Sequence, residues 1–335
     1  VSFHYPAEWE NQKATWLAFP HNSQNWSGAR RERITRFYNE LIGILSRFQP
    51  VKVLVQESWK LPESEARAFK GARFAPEFIP VPTDDIWIRD YGPVFTYDGD
   101  RETVAEFKFN AWGAKFPPWE KDNKVPSRIA ELTKFPITSV PFIFEGGAIE
   151  VNGDGLGITT LSCLTGNHRN PIAALPEMTM AIRDVFGLKD LLVLPAGLHG
   201  DHTDGHIDNV ARFVAKDRIV MASEDKQDSP NFQILSRNKA LLDAWLRKYY
   251  GNKAHIDLLP LPPQKKLGKE TLPASYMNFI YANGALLYPC YSPEKDAVAQ
   301  HYFSVLYPGR EIIGIDCSTV IEEGGSLHCL SKQEN

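Results

Sequence analysis

An α/β fold made of repeated helix-then-strand units is what this 335-residue sequence predicts. Three observations lead there. Five stretches with helical apolar spacing are each followed by a short run of strand type. Two distant segments, "FEGGAIEV" (144–151) and "EEGGSLHC" (322–329), share one form: Glu, two glycines, a small residue, an aliphatic and a polar residue. The 24 prolines are scattered and mark no linker, so residues 1–335 read as a single domain with many short loops.

The first helix is predicted over 29–48, where Ile34, Phe37, Tyr38, Leu41, Ile42 and Leu45 recur at helical spacing, and "VKVLV" (51–55) follows. A weaker helix over 126–134 precedes "FPITSV" at 135. Residues 172–187 place Met178, Ile182, Val185 and Phe186 on one face, with Gly187 as the stop and "LLVLP" at 191 next. Residues 232–250 carry Ile234, Leu235, Leu241, Leu242, Trp245 and Leu246, end at Gly251 and lead to "HIDLLPL" at 255. The last helix, 293–306, opens with Ser292 as its cap and Pro293 at the first position, before "EIIGID" at 311. The segment "PASYMNFIYANGALLYP" (273–289) reads as two strands around the turn "ANG", and "HRNP" (168–171) as a turn.

Composition removes several function classes. Hydrophobic residues make up 43% of the chain, enough for a sizeable core. The net charge of −4, with no long basic run, gives no reason to expect a nucleic-acid partner. No apolar stretch approaches the roughly 18 residues of a membrane span, so no membrane partner is expected. Four unclustered cysteines form neither a disulfide framework nor a CxxC metal site. "VSFHYPAEWENQ" lacks a secretory pattern, and the expected setting is a cytoplasmic one.

Cys163, Cys290 and Cys317 lie in apolar runs and read as small buried hydrophobes. Cys329 follows a Gly-Gly turn and is trailed by polar residues, a setting that suits a displayed thiol. The polar stretches after the predicted strands hold the other reactive side chains: "PTDDIWIRDYGP" (82–93), "FEGGAIE" and "HGDHTDGHIDN" (199–209). If repeated units surround an axis, their equivalent loops meet at one end. Asp90, Glu145, His206, Asp208 and Cys329 then share a pocket. A thiolate there attacks electrophilic carbon, and a histidine carries protons to and from the reacting groups. Three carboxylates repel anionic substrates and favour a cation, a planar guanidinium above all. Trp87 and Trp112 could line the methylene part of such a substrate. Two other readings stay open. His199, His202, His206 and Asp208 are zinc-compatible side chains close in sequence, which would make a metal-dependent hydrolase. A non-catalytic binder of guanidinium ligands is the other.

The ordered set "DDIWIRDYGP", "FNAWG", "FEGGAIEVNGDG", "HRNP", "TDGHIDN", "PASYMNF" with "ANG", and "GGSLHC" resembles the agmatine deiminases of the Porphyromonas-type peptidylarginine deiminase family, over nearly the whole chain. That resemblance implies the pentein fold, a five-fold pseudo-symmetric α/β propeller of ββαβ-type units. It implies Cys329 as nucleophile, His206 as general acid and then base, and Glu145 as holder of the guanidinium and of His206. Asp90 and Asp208 would clamp the guanidinium nitrogens. The implied substrate is a small guanidino compound, agmatine, with no metal or organic cofactor; the family's assemblies leave a homo-oligomer open. The loop "HGDHT" (199–203) is richer in histidine than the family pattern and lies toward the substrate's far end. Arginine or peptidyl-arginine therefore stays as an alternative substrate.

Overall fold

The computed structural model describes residues 3–335 apart from 64–66, 68 and 167. One order of elements recurs in five of its sheets: an antiparallel pair, a helix, and a strand parallel to the pair's second member. Strands Val94–Asp98 and Arg101–Lys108 form a hairpin; helix Val125–Thr133 returns the chain to Ile137–Ile143, parallel to the second strand. Strands Ile149–Val151 and Leu156–Thr160, helix Leu175–Phe186 and strand Asp190–Leu194 repeat the pattern. So do Ala211–Ala215, Arg218–Ser223, helix Pro230–Tyr250 and His255–Pro260. The fourth set is Ile280–Ala282, Ala285–Cys290, helix Pro293–Leu306 and Glu311–Asp316.

The fifth set draws on both ends of the sequence. Strand Ser331–Glu334 pairs antiparallel with Ala14–Ala18; helix Gly28–Leu45 follows and delivers Val51–Val55 parallel to it. The helical periodicity is cashed in here as burial. Ile34, Phe37, Tyr38, Leu41, Ile42 and Leu45 all face the sheet and are buried. All five predicted helices and their following strands are present, within a few residues of their predicted bounds. Helix Leu175–Phe186 does stop at Gly187, whose φ of 63° is the left-handed C-cap that glycine adopts without a Cβ penalty.

Two local expectations hold in part: Ser292 is the N-cap residue before Pro293, and two antiparallel strands flank the "ANG" turn. The Ser292 side chain makes no capping bond. Asp296 reaches back instead, and its carboxylate accepts the backbone N–H of Tyr291 and of Ser292, each at 2.9 Å. The segment 273–289 is only half strand. Residues Ile280–Ala282 and Ala285–Cys290 flank the turn, whereas 273–279 is irregular, tied down by side chains rather than by a ladder. Ser275 Oγ, for example, donates to the Asn209 carbonyl at 2.8 Å.

The strand Ser331–Glu334 fixes the last site-bearing loop, and Glu334 anchors it. Its Oε2 accepts from Trp16 Nε1 at 2.7 Å and from Lys52 Nζ at 2.8 Å. Removing a buried acceptor leaves the indole N–H unsatisfied. Glu334→Ala is therefore expected to lower unfolding free energy by about 1–3 kcal/mol, read from urea denaturation at pH 7; a loss below the error of the fit would show that the strand does not need this anchor.

Candidate active site

The four loops that carry the predicted residues meet. Asp90 sits on the one-turn helix Ile88–Tyr91, Glu145 precedes the turn Gly146–Ala148, and His206 and Asp208 bracket the start of the turn Ile207–Asn209. Cys329 follows the Gly324–Gly325 bend, and its carbonyl accepts the Arg89 N–H at 3.2 Å. Asp90, Glu145, His206, Asp208 and Cys329 are all at most 5% exposed. The thiol is therefore not displayed, as its polar neighbours suggested; it is buried and reached through a cavity.

That cavity holds about 360 Å³ and is lined by Cys329, Asp90, Asp85, Trp87, Trp112 and His202, among others. Glu145, His206 and Asp208 stand behind the wall. Trp87 packs its ring against Gly325, where a Cβ would collide with it. Trp112 lies in a run of left-handed backbone, with φ of 57°, that presents its indole N–H to Asp90 Oδ2 at 2.9 Å. Besides lining the cavity, Trp112 thus orients an acid.

The acids are packed around one glycine. The Gly147 N–H donates to Asp90 Oδ1 at 2.8 Å. A Cβ on Gly147 would lie 2.5 Å from His206 Nδ1, 2.8 Å from Asp90 Oδ1 and 2.9 Å from Asp208 Oδ2, so only glycine permits this approach. His206 Nε2 and Glu145 Oε2 are 3.0 Å apart, and His206 Nδ1 is 3.7 Å from Asp90 Oδ1. Cys329 Sγ is 3.9 Å from Asp208 Oδ2 and 3.3 Å from the Asn278 amide nitrogen. Sulfur and imidazole do not bond each other directly; they flank the acid cluster.

Charge compensation differs from acid to acid. Burial works against the Glu145 anion, but Arg169 and His206 hold its carboxyl below the usual range. Burial also opposes the Asp208 anion, and His328 and His206 override it. Asp90 is pushed up to about 6 by burial, partly offset by His206, with Asp208 and Glu145 adding to the rise. Burial disfavours a charged His206, yet Asp90, Glu145 and Asp208 raise it to about 10. Burial, Asp208 and Asp90 all push the Cys329 thiol well above its ordinary value.

Five residues of this machinery were not visible as such in the sequence. Arg169, in the "HRNP" turn, donates through Nε to Glu145 Oε1 at 2.7 Å and through Nη1 to Asp204 Oδ2 at 2.6 Å. His328 links Asp208 Oδ2 to Glu8 Oε2, 2.8 Å on each side. Glu8 is itself held by Arg212 at 2.8 Å. Asn278, in a segment that reads as scaffold, touches the sulfur. The one available signal was the position of His328 beside Cys329.

The zinc-compatible histidines do not converge. His199 is exposed, His202 is half-buried on the cavity wall, and His206 is fully buried against Glu145. Among the described residues no group of three or more His, Cys, Asp or Glu is arranged to hold a metal ion. Cys163 and Cys317 are buried as expected, whereas Cys290 is only half-buried. No helix among the described residues is long and apolar enough to cross a membrane.

Mixed α/β sheets that gather these side chains at a cation-favouring cavity place the chain in the class of hydrolases that act on amidines. More particularly, it belongs to the Porphyromonas-type peptidyl-arginine deiminase family, whose model matches residues 4–334. The agmatine deiminase of Pseudomonas aeruginosa is 30% identical over 357 residues, covering 99% of this chain and 95% of that protein. A Cys-to-Ser variant of C. jejuni agmatine deiminase, solved with substrate bound, is 30% identical with a TM-score of 0.87, covering 99% of this chain and 96% of that one. The agmatine deiminase of Enterococcus faecalis superposes with a TM-score of 0.89 at 25% identity, over the same shares of the two chains.

The Arg169–Glu145 pair has both side chains at most 1% exposed. Breaking such a pair leaves a buried charge uncompensated. Arg169→Leu is expected to cost about 3–5 kcal/mol of stability at pH 7. The carboxyl is depressed in the folded chain, so its contribution is complete above about 4.5 and is lost as pH falls through the lower folded value. The gap between wild type and variant in guanidinium-chloride melts should accordingly narrow below pH 4; a gap independent of pH would place the effect elsewhere.

Proposed function

We propose that this protein hydrolyses agmatine to N-carbamoylputrescine and ammonia through a covalent amidino intermediate on Cys329. The reading takes residues 1–335 as one cytoplasmic catalytic domain with its five units set about a pseudo-fivefold axis. The observation that carries it is the cluster of buried carboxylates Asp90 and Asp208 beside the Cys329 sulfur, with Asp90 and Cys329 both on the cavity wall.

A guanidinium that enters past the cavity wall presents its N–H groups to Asp90 and to Asp208 Oδ1, which is buried without a hydrogen-bond partner among the described residues, and its central carbon to sulfur. Its positive charge offsets the two acids that push the thiol up, so the thiol gives its proton to water as the cation binds. Sulfur then forms a bond to carbon. His206, cationic at rest, gives its proton to the departing nitrogen as the C–N bond breaks and ammonia leaves. Neutral His206 next takes a proton from water. The hydroxide forms the new C–O bond, the C–S bond breaks as the added hydroxyl gives its proton to the departing sulfur, and the neutral ureido product is released. Glu145, engaged by Arg169 on one oxygen, keeps the ring of His206 in place through the other.

The cavity wall favours agmatine over arginine. An α-carboxylate needs a cation to receive it. The wall's cations, Arg30 and Lys115, are engaged by Glu323 and Asp204, and Asp85 adds an acid that suits the ammonium at agmatine's other end. The similarity to agmatine deiminases of Pseudomonas aeruginosa and C. jejuni supports the same choice.

Intact mass spectrometry after brief mixing with agmatine tests the reading directly. The amidino adduct is expected on Cys329 and absent from Cys329→Ala. No ureido product from agmatine, alongside turnover of arginine or a blocked arginine peptide, would overturn the substrate assignment. The pH profile follows from the charges. Binding needs the Asp90 carboxylate, so kcat/KM should rise as pH climbs through about 6. Leaving-group protonation needs the His206 imidazolium, so it should fall as pH climbs through about 10. Each limb should approach about tenfold per pH unit; a flat profile from pH 5 to 11 would exclude this pair of roles.

A further inference from the structure

One side chain of the histidine-rich loop 199–203 stands on the cavity wall, and the chemistry proposed above leaves it without a task. His202 lies between two buried residues that bond to each other: Asp201 Oδ1 accepts the Thr203 backbone N–H at 2.9 Å and the Thr203 hydroxyl at 2.7 Å. Half-buried between them, His202 lines the same cavity as Cys329. The loop is tied to the acid cluster. Arg169 donates to the Thr203 carbonyl at 2.9 Å as well as to Glu145, and Lys115 donates to the His202 carbonyl at 2.8 Å. The imidazole nitrogens themselves have no hydrogen bond or ion pair among the described residues.

The loop that leads to Cys329 fixes where along the cavity this ring stands. Three consecutive residues touch three parts of the wall: Glu323 pairs with the exposed Arg30, Gly324 packs on His202 and Gly325 on Trp87. The chain then runs on to Cys329, so His202 stands between the rim and the sulfur. A Cβ on Gly324, whose φ is 105°, would lie 2.8 Å from His202 Nδ1, and only glycine leaves the ring this place.

On the agmatine reading, on which this inference rests, the guanidinium is at the sulfur and the substrate's other end lies in this stretch. An ammonium has three N–H donors and no acceptor, so it needs acceptors that are not already taken. Arg30 and Lys115 can only donate, and Glu323 is engaged by Arg30. Asp85 supplies charge, but its Oδ1 already accepts the Ile86 N–H at 2.8 Å. A neutral imidazole offers one ring nitrogen as a further acceptor.

We propose that His202 is a specificity-determining residue, whose ring nitrogen accepts an N–H of the substrate's terminal ammonium and so selects a guanidino compound with a basic tail.

The test compares agmatine with n-butylguanidine, which has the same four-carbon chain and no amine. Binding is measured by calorimetry on Cys329→Ala protein, where no turnover occurs; kcat and KM are measured with Cys329 intact. His202→Leu removes the acceptor and keeps a side chain of similar bulk. Its Kd and KM for agmatine are expected to rise about ten- to a hundredfold. Its kcat for agmatine, and its Kd for n-butylguanidine, should stay within about threefold of the parent's. An equal loss for both ligands overturns the proposal, because it gives His202 a packing role alone. So does an agmatine affinity that is unchanged or tighter. Should His202→Leu not fold, as judged by circular dichroism, His202→Ala carries the same comparison with the same outcomes. Calorimetry needs no reaction. The selective loss of agmatine binding in a protein that forms no ureido product would therefore uphold the role of His202 while removing the hydrolase reading, and turnover of agmatine without that selectivity would do the reverse.

Discussion

The structure depends on keeping negative charge buried. Asp90 and Asp208 lie within a few ångströms of one glycine, Glu145 joins them through His206, and all three are at most 5% exposed. A carboxylate that deep protonates unless something holds it ionised. Each acid is held by a different device. Glu145 has a guanidinium, Arg169, against one oxygen and an imidazole against the other. Asp208 has His328, which passes the burden to Glu8 and so to Arg212. Asp90 bonds to two neutral donors, Trp112 and the Gly147 N–H, with His206 the nearest cationic group at 3.7 Å. Two acids are thus anions under all ordinary conditions, and the one on the cavity wall is poised near neutrality.

That network explains why distant parts of the sequence must meet. Glu8 stands near one end, His328 and Cys329 near the other, and Arg212 between them. The Arg212 guanidinium is fully buried, bridging Glu8 and Glu150 and donating to the carbonyls of Met277 and Phe279. The sheet that pairs Ser331–Glu334 with Ala14–Ala18 brings the two ends together, and the charged chain is built across that junction. Closing the sheet and completing the site are one structural event.

The sequence carried the repeated part of this design and lost the long-range part. Helical periodicity and apolar runs are local, so the five helices and their parallel strands could be read with bounds close to the observed ones. The five acid, histidine and cysteine positions stood out because they sit in Gly-rich loops after strands. What failed was whatever depends on a partner far away in the chain. The "PASYMNF" segment reads as strand because its residues suit one; in the structure it is irregular because Ser275 and Asn278 bond to residue 209 and to 328–329. Arg169 looked like part of a turn because nothing near it in sequence shows Glu145. The Cys329 thiol looked exposed because its neighbours are polar, yet Ser331, Lys332, Gln333 and Glu334 are buried in strand pairing.

The same acids that draw in a cation also suppress the nucleophile. Asp208 and Asp90 raise the Cys329 thiol beyond what burial alone does. Under the proposed chemistry this conflict is useful, because the bound guanidinium resolves it. Only a ligand carrying positive charge at the acid cluster removes the electrostatic objection to a thiolate, so the thiol is activated by the class of molecule it attacks and stays quiet toward neutral ones. The logic also runs in reverse. Hydrolysis turns the charged head group into a neutral urea, which no longer compensates Asp90 and Asp208. The attraction that held the substrate disappears in the product, and the rising thiol recovers its proton. Binding, activation and release are then three consequences of one quantity, the net charge beside Cys329.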